Sequence, residues 1–176
     1  MKKIKIGNKI IGDHKPVFII AEAGVNHNGS LKNGKKLIDI AVKAKADAVK
    51  FQSFIADNII IPKGPKAKYH IETTGSNKKQ SWYDLLKSQE MSLRMHSELI
   101  KYCKRKKIIF LSTPYDEESA EILNKFNIAA FKIASTDNDN YPFLKFLTKF
   151  KKPIIISTGM SNLQDVKDAY KVMKRY

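Results

Sequence analysis

The feature that most restricts the possible folds is a fivefold alternation of short apolar segments with amphipathic helical segments. The apolar segments are PVFIIAEAG, DAVKFQSF, IIFLSTP, AAFKIAS and KPIIISTGM, which begin at residues 16, 47, 108, 129 and 152. Strands that alternate with helices pair in parallel through right-handed crossovers. Two architectures fit this order: a doubly wound open sheet, and part of a (β/α)8 barrel, whose complete form needs roughly 250 residues.

Local signals predict where several elements begin. KIKIGNKIIG, ahead of the first strand, predicts a small hairpin with Gly7 and Asn8 at its turn. Ser30 is placed to cap the first helix, LKNGKKLIDIAVKAKA. Ser161, followed three residues later by Gln164, predicts a capping box at the start of the last helix.

Length and cysteine content narrow the class of protein. A chain of 176 residues can form one domain with its own core. No apolar run approaches the ~20 residues of a membrane-spanning helix, and the first residues lack the apolar stretch of a signal peptide. The single cysteine, Cys103, is typical of a reducing compartment, so a cytoplasmic location is the expectation. The long segment 54–80, rich in proline and glycine, predicts a functional loop.

The net charge of +16 raises the possibility of a nucleic-acid partner. The lysines are nevertheless spread along the whole chain, and no zinc-finger spacing, helix-turn-helix pattern or aromatic RNA-binding motif accompanies them. We therefore favour a solvated basic surface that attracts anionic substrates, and we keep nucleic-acid binding as the weaker alternative.

Polar residues interrupt the apolar strands near their carboxyl ends, where a strand buried on both faces should stay apolar. They are Glu22; Lys50 and Gln52; Ser112 and Thr113; Lys132 and Ser135; and Ser157, Thr158 and Gly159. Alternation along the second strand places Lys50 and Gln52 on one face, and Val49 and Phe51 on the other. Ligands of α/β proteins bind at this edge of the sheet. Two lysines, several hydroxyls and a turn that opens a helix together predict a site for a ligand with more than one negative group.

Simpler explanations exist for each residue. A strand lysine can extend to solvent, and a serine at a strand end is often only a helix cap. Glu22 could form a buried ion pair with Lys50, but we expect it to face a polyhydroxylated ligand or to handle a proton instead. Neither GxGxxG nor GxxxxGK[ST] occurs, which argues against dinucleotide and P-loop nucleotide binding.

The segments FIIAEAGVNHNGS, AVKFQSF, FLSTPYD, AFKIAS and KPIIISTGM resemble, in order and spacing, the N-terminal part of the sialic acid synthase family. The resemblance covers about residues 17–170. It implies a TIM barrel that condenses phosphoenolpyruvate with an N-acetylated amino sugar, either N-acetylmannosamine or a bacterial 6-deoxy diacetamido analogue. It also implies a divalent metal, Mn²⁺ or Mg²⁺, and a homodimer. The segment after residue 62 looks more like the legionaminate and N-acetylneuraminate branches than the pseudaminate branch.

The resemblance also implies roles for individual residues. Glu22, Lys50 and Lys132 are the expected catalytic residues. The carboxylate end of phosphoenolpyruvate is expected near Lys50, Thr113, Lys132 and Ser135, its phosphate near Lys132, Ser157 and Gly159, and the sugar near Glu22, Gln52 and Tyr115. Tyr115 departs from the phenylalanine of some members.

The family's metal-binding histidines lie on later strands that have no counterpart in this sequence, and its C-terminal antifreeze-like domain is likewise missing. His14, His27, His70 and His96 do not replace them by any evident spacing. His27 is a candidate for the sugar site, with a loop-capping role as the alternative. We therefore expect residues 1–176 to be the first five βα units of a synthase barrel, with the metal ligands outside this chain. The alternative is a truncated remnant that binds anions without catalysis.

Overall fold

The computed structural model describes residues 3–62 and 81–175. The larger part of the predicted loop 54–80 lies outside the described residues. Its beginning forms one short helix, Ala56–Ile59, which the sequence did not predict. The elements in chain order are β1 (Ile4–Ile6), β2 (Lys9–Ile11), β3 (Ile20–Gly24), α1 (Leu31–Lys43), β4 (Ala48–Ser53), α2 (Ala56–Ile59), α3 (Trp82–Gln89), α4 (Leu93–Lys106), β5 (Ile109–Pro114), α5 (Glu117–Lys125), β6 (Phe131–Ile133), a 3₁₀ turn (Ser135–Asp137), α6 (Tyr141–Thr148), β7 (Ile154–Ile156) and α7 (Leu163–Arg175).

Strands β3 to β7 form one parallel sheet in which each strand lies beside the next one in the chain. This confirms the five predicted strand and helix units. Neighbours in sequence are neighbours in the sheet, as in a (β/α)8 barrel, whereas a doubly wound sheet reverses its strand order. β3 and β7 are the two outer strands of this sheet.

The two faces of the sheet have different roles. On the outer face, Val49 and Phe51 pack with Ile38 of α1 and Leu99 of α4 in the main apolar core. On the inner face, a smaller cluster of Ile6, Ala48, Leu111 and Ala130 fills the amino-terminal end. The predicted hairpin β1–β2 is confirmed, with Gly7 at φ 58° in its turn, and Ile6 is its contribution to the inner cluster. Apolar side chains thus occupy one end of the inner face, and the opposite end carries the polar groups.

Two local expectations need correction. The whole of PVFIIAEAG is expected to be a buried strand, but the strand begins only at Ile20, and Val17 and Ile19 are 78% and 50% exposed because β3 lies at the sheet edge. The last helix is capped by Asn162, whose side-chain oxygen accepts from the N–H of Asp165 at 3.1 Å. The Asp165 carboxylate accepts in return from the N–H of Asn162 at 2.9 Å.

Ser161 and Gln164 therefore do not form the predicted capping box, because asparagine one residue later is an equally good cap. By contrast, the predicted Ser30 cap of α1 is confirmed by a hydrogen bond from the N–H of Asn33 to its hydroxyl. No helix in residues 3–62 and 81–175 is long and apolar enough to cross a bilayer.

Candidate active site

The site is organised around an ion pair between Glu22 on β3 and Lys50 on β4. These residues are direct partners in the sheet register, and Lys50 Nζ lies 2.5 Å from Glu22 Oε2. The lysine side chain is 11% exposed and the glutamate side chain 54% exposed. The ion pair that the sequence offered as the alternative for Glu22 is thus present, and the role of Glu22 towards a ligand stays a prediction. The pair is open to solvent on the glutamate side, which leaves Glu22 accessible to a ligand.

Lys50 also reaches the next strand. Its Nζ lies 3.5 Å from Thr113 Oγ1 on β5, a long hydrogen bond between two buried side chains. Gln52, which follows Lys50 on the same face, is in register with Thr113. The alternation predicted for β4 is thus observed, since Val49 and Phe51 lie in the core on the other face.

The second lysine, Lys132, lies on β6 and contacts β7. Its Nζ donates to the hydroxyl of Ser157 and to the carbonyl of Ile133, the latter at 2.5 Å. Burial lowers the pKa of Lys132, the positive charge of Lys50 lowers it further, and the carboxylate of Glu22 acts in the opposite direction. The positive charges of the two lysines therefore repel each other, and a ligand with two negative groups would reduce this repulsion.

A β-bulge that the sequence did not predict shapes the glutamate side of the site. The register between β3 and β4 shifts between Glu22 and Gly24, and Gly24 has φ 54°. A methyl group at Gly24 would lie 3.4 Å from Glu22 Oε1, 3.8 Å from Gln52 Nε2 and 4.0 Å from Asn26 Nδ2. Glycine at this position thus leaves a gap lined by one carboxylate and two amides, groups suited to sugar hydroxyls. A glycine near a strand end is compatible with a bulge, but the sequence alone does not place the register shift, which depends on the pairing with β4.

The structure does not place His27 in this gap. Its side chain is fully buried against Phe51, and its Nδ1 accepts from the N–H of Gly29 at 3.0 Å. Burial lowers the pKa of His27 to about 4, and the nearby His96 adds to this effect. His27 therefore acts as a neutral loop cap, which was the alternative, and its assignment to the sugar site is corrected because a buried ring offers a ligand no surface.

A buried hydrogen-bond chain behind the site has no signal in the sequence. His96 Nδ1 lies 3.0 Å from the carbonyl oxygen of Ser92, which can only accept, so Nδ1 carries the proton. The other nitrogen, Nε2, then accepts from the hydroxyl of Ser53 at 2.9 Å, and Ser53 accepts from Ser112 at 2.7 Å. Ser53 directly follows Gln52, and Ser112 directly precedes Thr113. These hydrogen bonds thus hold Ser53 and Ser112 in place, and each of the two serines is the direct neighbour of a candidate ligand-binding residue.

The remaining candidates lie in the loops after the strands. Tyr115 follows β5, is partly buried, and packs edge-on against Phe54 with ring centroids 6.4 Å apart. Ser135 opens the 3₁₀ turn after β6. Gly159 lies in the loop after β7, where an added methyl group would meet no atom of the described residues within 4 Å. All candidates thus belong to strands of the sheet or to the loops that follow them, and His27 differs from the others in that its ring is fully buried.

The described ranges, 3–62 and 81–175, do not fit the divalent metal that the resemblance implies. They contain no group of three histidine, cysteine, aspartate or glutamate side chains placed to hold a metal ion. His27 and His96 are buried and each uses at least one ring nitrogen within the fold. The position of the metal ligands outside this chain stays a prediction, and the chemical roles of the residues described above involve no metal.

Five consecutive parallel strands with polar groups at their carboxyl edge define the chain as part of a TIM-barrel-type α/β protein. The model of the NeuB family matches residues 37–176, and the chain belongs to this family.

Similar proteins agree with this assignment. The chain is 47% identical over 159 residues to the N,N'-diacetyllegionaminic acid synthase of Campylobacter jejuni, covering 90% of this chain and 47% of that protein. It is 34% identical over 163 residues to the pseudaminic acid synthase of the same species, and the match covers 93% of this chain and 46% of that protein. The crystal structure of an N-acetylneuraminic acid synthetase from Leptospira borgpetersenii in complex with citrate matches with a TM-score of 0.82 and 32% identity, covering 99% of this chain and 55% of that one. The chain thus spans about half the length of these proteins.

Proposed function

We propose that this chain forms the phosphoenolpyruvate-binding part of a synthase that joins phosphoenolpyruvate to an N-acetylated amino sugar. The observation that carries the proposal is the placement of Lys50 and Lys132 on one sheet edge, close enough for the charge of Lys50 to lower the pKa of Lys132. Glu22 balances only one of these two positive charges, so the edge attracts an anionic ligand with groups for both lysines. The names of the relatives, synthases of sialic-type acids, support the choice of reaction.

The ligand is oriented by the two lysines. The carboxylate of phosphoenolpyruvate is assigned to Lys50 and Thr113, and its phosphate to Lys132, Ser157 and Gly159. Lys132 also faces the carboxylate end, where Ser135 adds a hydroxyl. Gly159 suits the phosphate because the space where a side chain would project is open. This orientation directs the carbon end of the enol towards Glu22 and Gln52, where the sugar is assigned together with Tyr115.

The proposed reaction forms one carbon–carbon bond and releases phosphate. C3 of phosphoenolpyruvate attacks the aldehyde carbon of the open-chain sugar, the aldehyde oxygen takes up a proton, and water adds at C2. Phosphate then leaves from C2 with cleavage of the carbon–oxygen bond, and the product is a nonulosonic acid. Glu22, half exposed and adjacent to the sugar gap, is the group that this chain offers for moving a proton.

Among the sugars, we favour the substrate of the legionaminate branch. The support is the higher sequence identity to the legionaminic acid synthase of Campylobacter jejuni than to the pseudaminic acid synthase of that species.

We further propose that the divalent metal is held by residues outside these 176. If no such residues accompany the chain, anion binding without turnover is the second candidate function, favoured by the lack of a metal-binding cluster in the described residues.

The test is calorimetric titration of phosphoenolpyruvate into the chain and into the variants Lys50→Met and Lys132→Met. Each variant should bind at least roughly tenfold more weakly (~1.4 kcal/mol), because a charge-assisted contact in a part-buried site is lost. Lys36→Met, which removes an exposed lysine of α1, is the matched control and should bind normally. Unchanged affinity in both site variants would refute the proposed site.

Turnover is tested in a chimera in which the chain is followed by the remaining part of the Campylobacter jejuni synthase. Formation of a nonulosonic acid from phosphoenolpyruvate and 2,4-diacetamido-2,4,6-trideoxymannose, with manganese present, supports the synthase assignment. A chimera that folds and binds phosphoenolpyruvate but makes no product with that sugar or with N-acetylmannosamine would favour anion binding alone.

A further inference from the structure

The turn between β7 and α7, residues Thr158 to Ser161, has little packing to hold it in place. Thr158, Gly159 and Met160 are exposed, and Met160 is 73% exposed. The N–H of Ser161 donates to the carbonyl of Thr158 at 3.2 Å, which closes the turn on itself without attaching it to the rest of the fold. The position of this turn must therefore depend on hydrogen bonds to neighbouring elements.

One such bond comes from the loop after β6. Asn138 follows the 3₁₀ turn, is 2% exposed, and donates from Nδ2 to Ser161 Oγ at 2.7 Å. Its other side-chain atom, Oδ1, is buried and has no hydrogen-bond partner in the described structure. A buried amide with one satisfied end costs free energy. An apolar residue of similar size would avoid that cost, so the bond to Ser161 is the feature that explains the asparagine.

The hydroxyl of Ser161 has no competing structural task as the cap of α7. Asn162 and Asp165 cap that helix by reciprocal hydrogen bonds, and the N–H of Gln164 also donates to Asn162 Oδ1 at 2.7 Å. Ser161 is thus available to hold the turn to Asn138. Helix capping and turn attachment belong to different residues, so they can be altered separately.

The turn carries Gly159, one of the three residues to which the phosphate is assigned. Ser157 is fixed directly to β6, because its N–H donates to the carbonyl of Ile133 at 3.1 Å and its hydroxyl contacts Lys132. Gly159, two residues further on, has no such attachment through a side chain. Its place relative to Lys132 is set by the turn, and the turn is held by Ser161.

We infer that Asn138 is a positioning residue for the phosphate end of the site. Its hydrogen bond to Ser161 holds the turn so that the backbone of Gly159 lies beside Ser157 and Lys132, ready to receive a phosphate. This inference rests on the proposed function. It distinguishes the two ends of the ligand, because Lys50 and Thr113, two of the residues assigned to the carboxylate end, lie on other strands and do not depend on the turn.

The experiment compares the affinities of inorganic phosphate, phosphoenolpyruvate and pyruvate for the full chain and for its Ser161→Ala, Ser161→Thr and Asn138→Leu variants. Ser161→Ala and Asn138→Leu should weaken phosphate and phosphoenolpyruvate binding roughly five- to twentyfold and leave pyruvate binding unchanged. Ser161→Thr keeps the accepting hydroxyl and should bind like the wild type. The double variant should bind no worse than the weaker single variant, because both remove the same bond.

Asn162→Ala is the matched control, since it removes the cap of α7 without touching the bond between Asn138 and Ser161. It should lower the melting temperature and keep phosphate affinity. Three results would overturn the inference: normal phosphate affinity in Ser161→Ala, equal losses for pyruvate and phosphate, or the same loss in Asn162→Ala. A wild-type chain that binds neither phosphate nor phosphoenolpyruvate would refute the proposed site itself, and the role of Asn138 with it.

Discussion

At the scale of single residues, the pair of Glu22 and Lys50 combines two environments in one contact. The lysine is largely enclosed by the sheet, whereas more than half of the glutamate side chain is exposed. An ion pair with one solvated member contributes little to stability, about 0–1 kcal/mol. The main effect of this ion pair is to orient both side chains, because each group holds the other at the sheet edge where the ligand is proposed to bind.

Glu22→Gln should separate the catalytic role of this residue from a structural one. The change keeps the shape and removes the charge, so the melting temperature should change little. In the chimera, turnover should fall by a factor of ~10²–10⁴ if Glu22 moves a proton. A coupled assay of phosphate release together with a thermal melt measures both quantities. Normal turnover with a much lower melting temperature would mean that Glu22 is only structural.

The two buried histidines predict a loss of stability in mild acid. Burial lowers the pKa of His27 to about 4 and also lowers that of His96, whereas an unfolded histidine titrates near ~6.5. Between these values the unfolded chain binds more protons than the folded one. Stability is therefore complete above about pH 6.5 and declines as the pH falls towards 4, by about 3 kcal/mol for His27 alone.

Urea unfolding at pH 7, 6 and 5 measures this decline. His27→Gln should lower stability at pH 7 but flatten its dependence on pH, because the titrating ring is gone. His14→Gln, at an exposed position, is the control, and its unfolding free energy should depend on pH as that of the wild type does. Equal slopes in all three proteins would show that His27 does not titrate as its burial requires.

At the scale of elements, the loop after β3 is held tightly against α3. Gly29 has φ 69°, and a methyl group at this position would lie 2.4 Å from the carbonyl oxygen of Ser88. Gly29→Ala combines an unfavourable backbone conformation with a clash against another backbone, so unfolding free energy should fall by clearly more than about 1 kcal/mol. Gly159→Ala meets no atom of the described residues within 4 Å and should be close to neutral for stability. Chemical denaturation of the two variants side by side tests the difference; similar stabilities would contradict it.

The elements also show how far sequence reasoning extends. The five strands, the first hairpin and the Ser30 cap could be predicted because each depends on a local pattern of apolar, turn and capping residues. The strand ends could be named as a site because parallel strands place their carboxyl ends together. The alternation in β4 correctly placed Lys50 opposite the core.

Other features could not be predicted because they arise from contacts between distant segments. The bulge before Gly24 follows from the pairing of β3 with β4, and the burial of His27 from packing against Phe51. The bond from Asn138 to Ser161 joins residues 23 positions apart. A local pattern favoured Ser161 as the helix cap, and only the tertiary structure shows that Asn162 takes this role.

At the scale of the whole molecule, the sheet has two outer strands with apolar surface near them. Val17 and Ile19, just before β3, are exposed, and Ile154 and Ile155 of β7 share an apolar groove with Ile4 of the hairpin. Outer strands with unpaired backbone groups and apolar neighbours promote association between chains. The chain of 176 residues by itself should therefore associate as its concentration rises.

Size-exclusion chromatography with light scattering over a range of concentrations measures this association. Ile19→Lys places a charge beside the β3 edge and should raise the monomer fraction, since charged edge residues oppose strand pairing. Lys36→Glu, on the exposed side of α1, is a control for the change of surface charge. A wild-type monomer with a cooperative, concentration-independent melt would contradict the expected association.

The order of strands in the sheet, β3 to β7 without interruption, has a consequence for the synthesis of the protein on the ribosome. Each strand after β3 leaves the ribosome after the preceding strand, with which it pairs. The nascent chain can therefore add strands to the edge of the sheet one at a time, and no later strand has to insert between two strands that are already paired. Apart from the long connection between β4 and β5, contacts between consecutive units close short loops, which favours rapid folding of neighbouring units as they emerge. Lys50 can therefore pair with Glu22 early in translation, and the proposed anion site is completed only when β7 and the turn after it emerge.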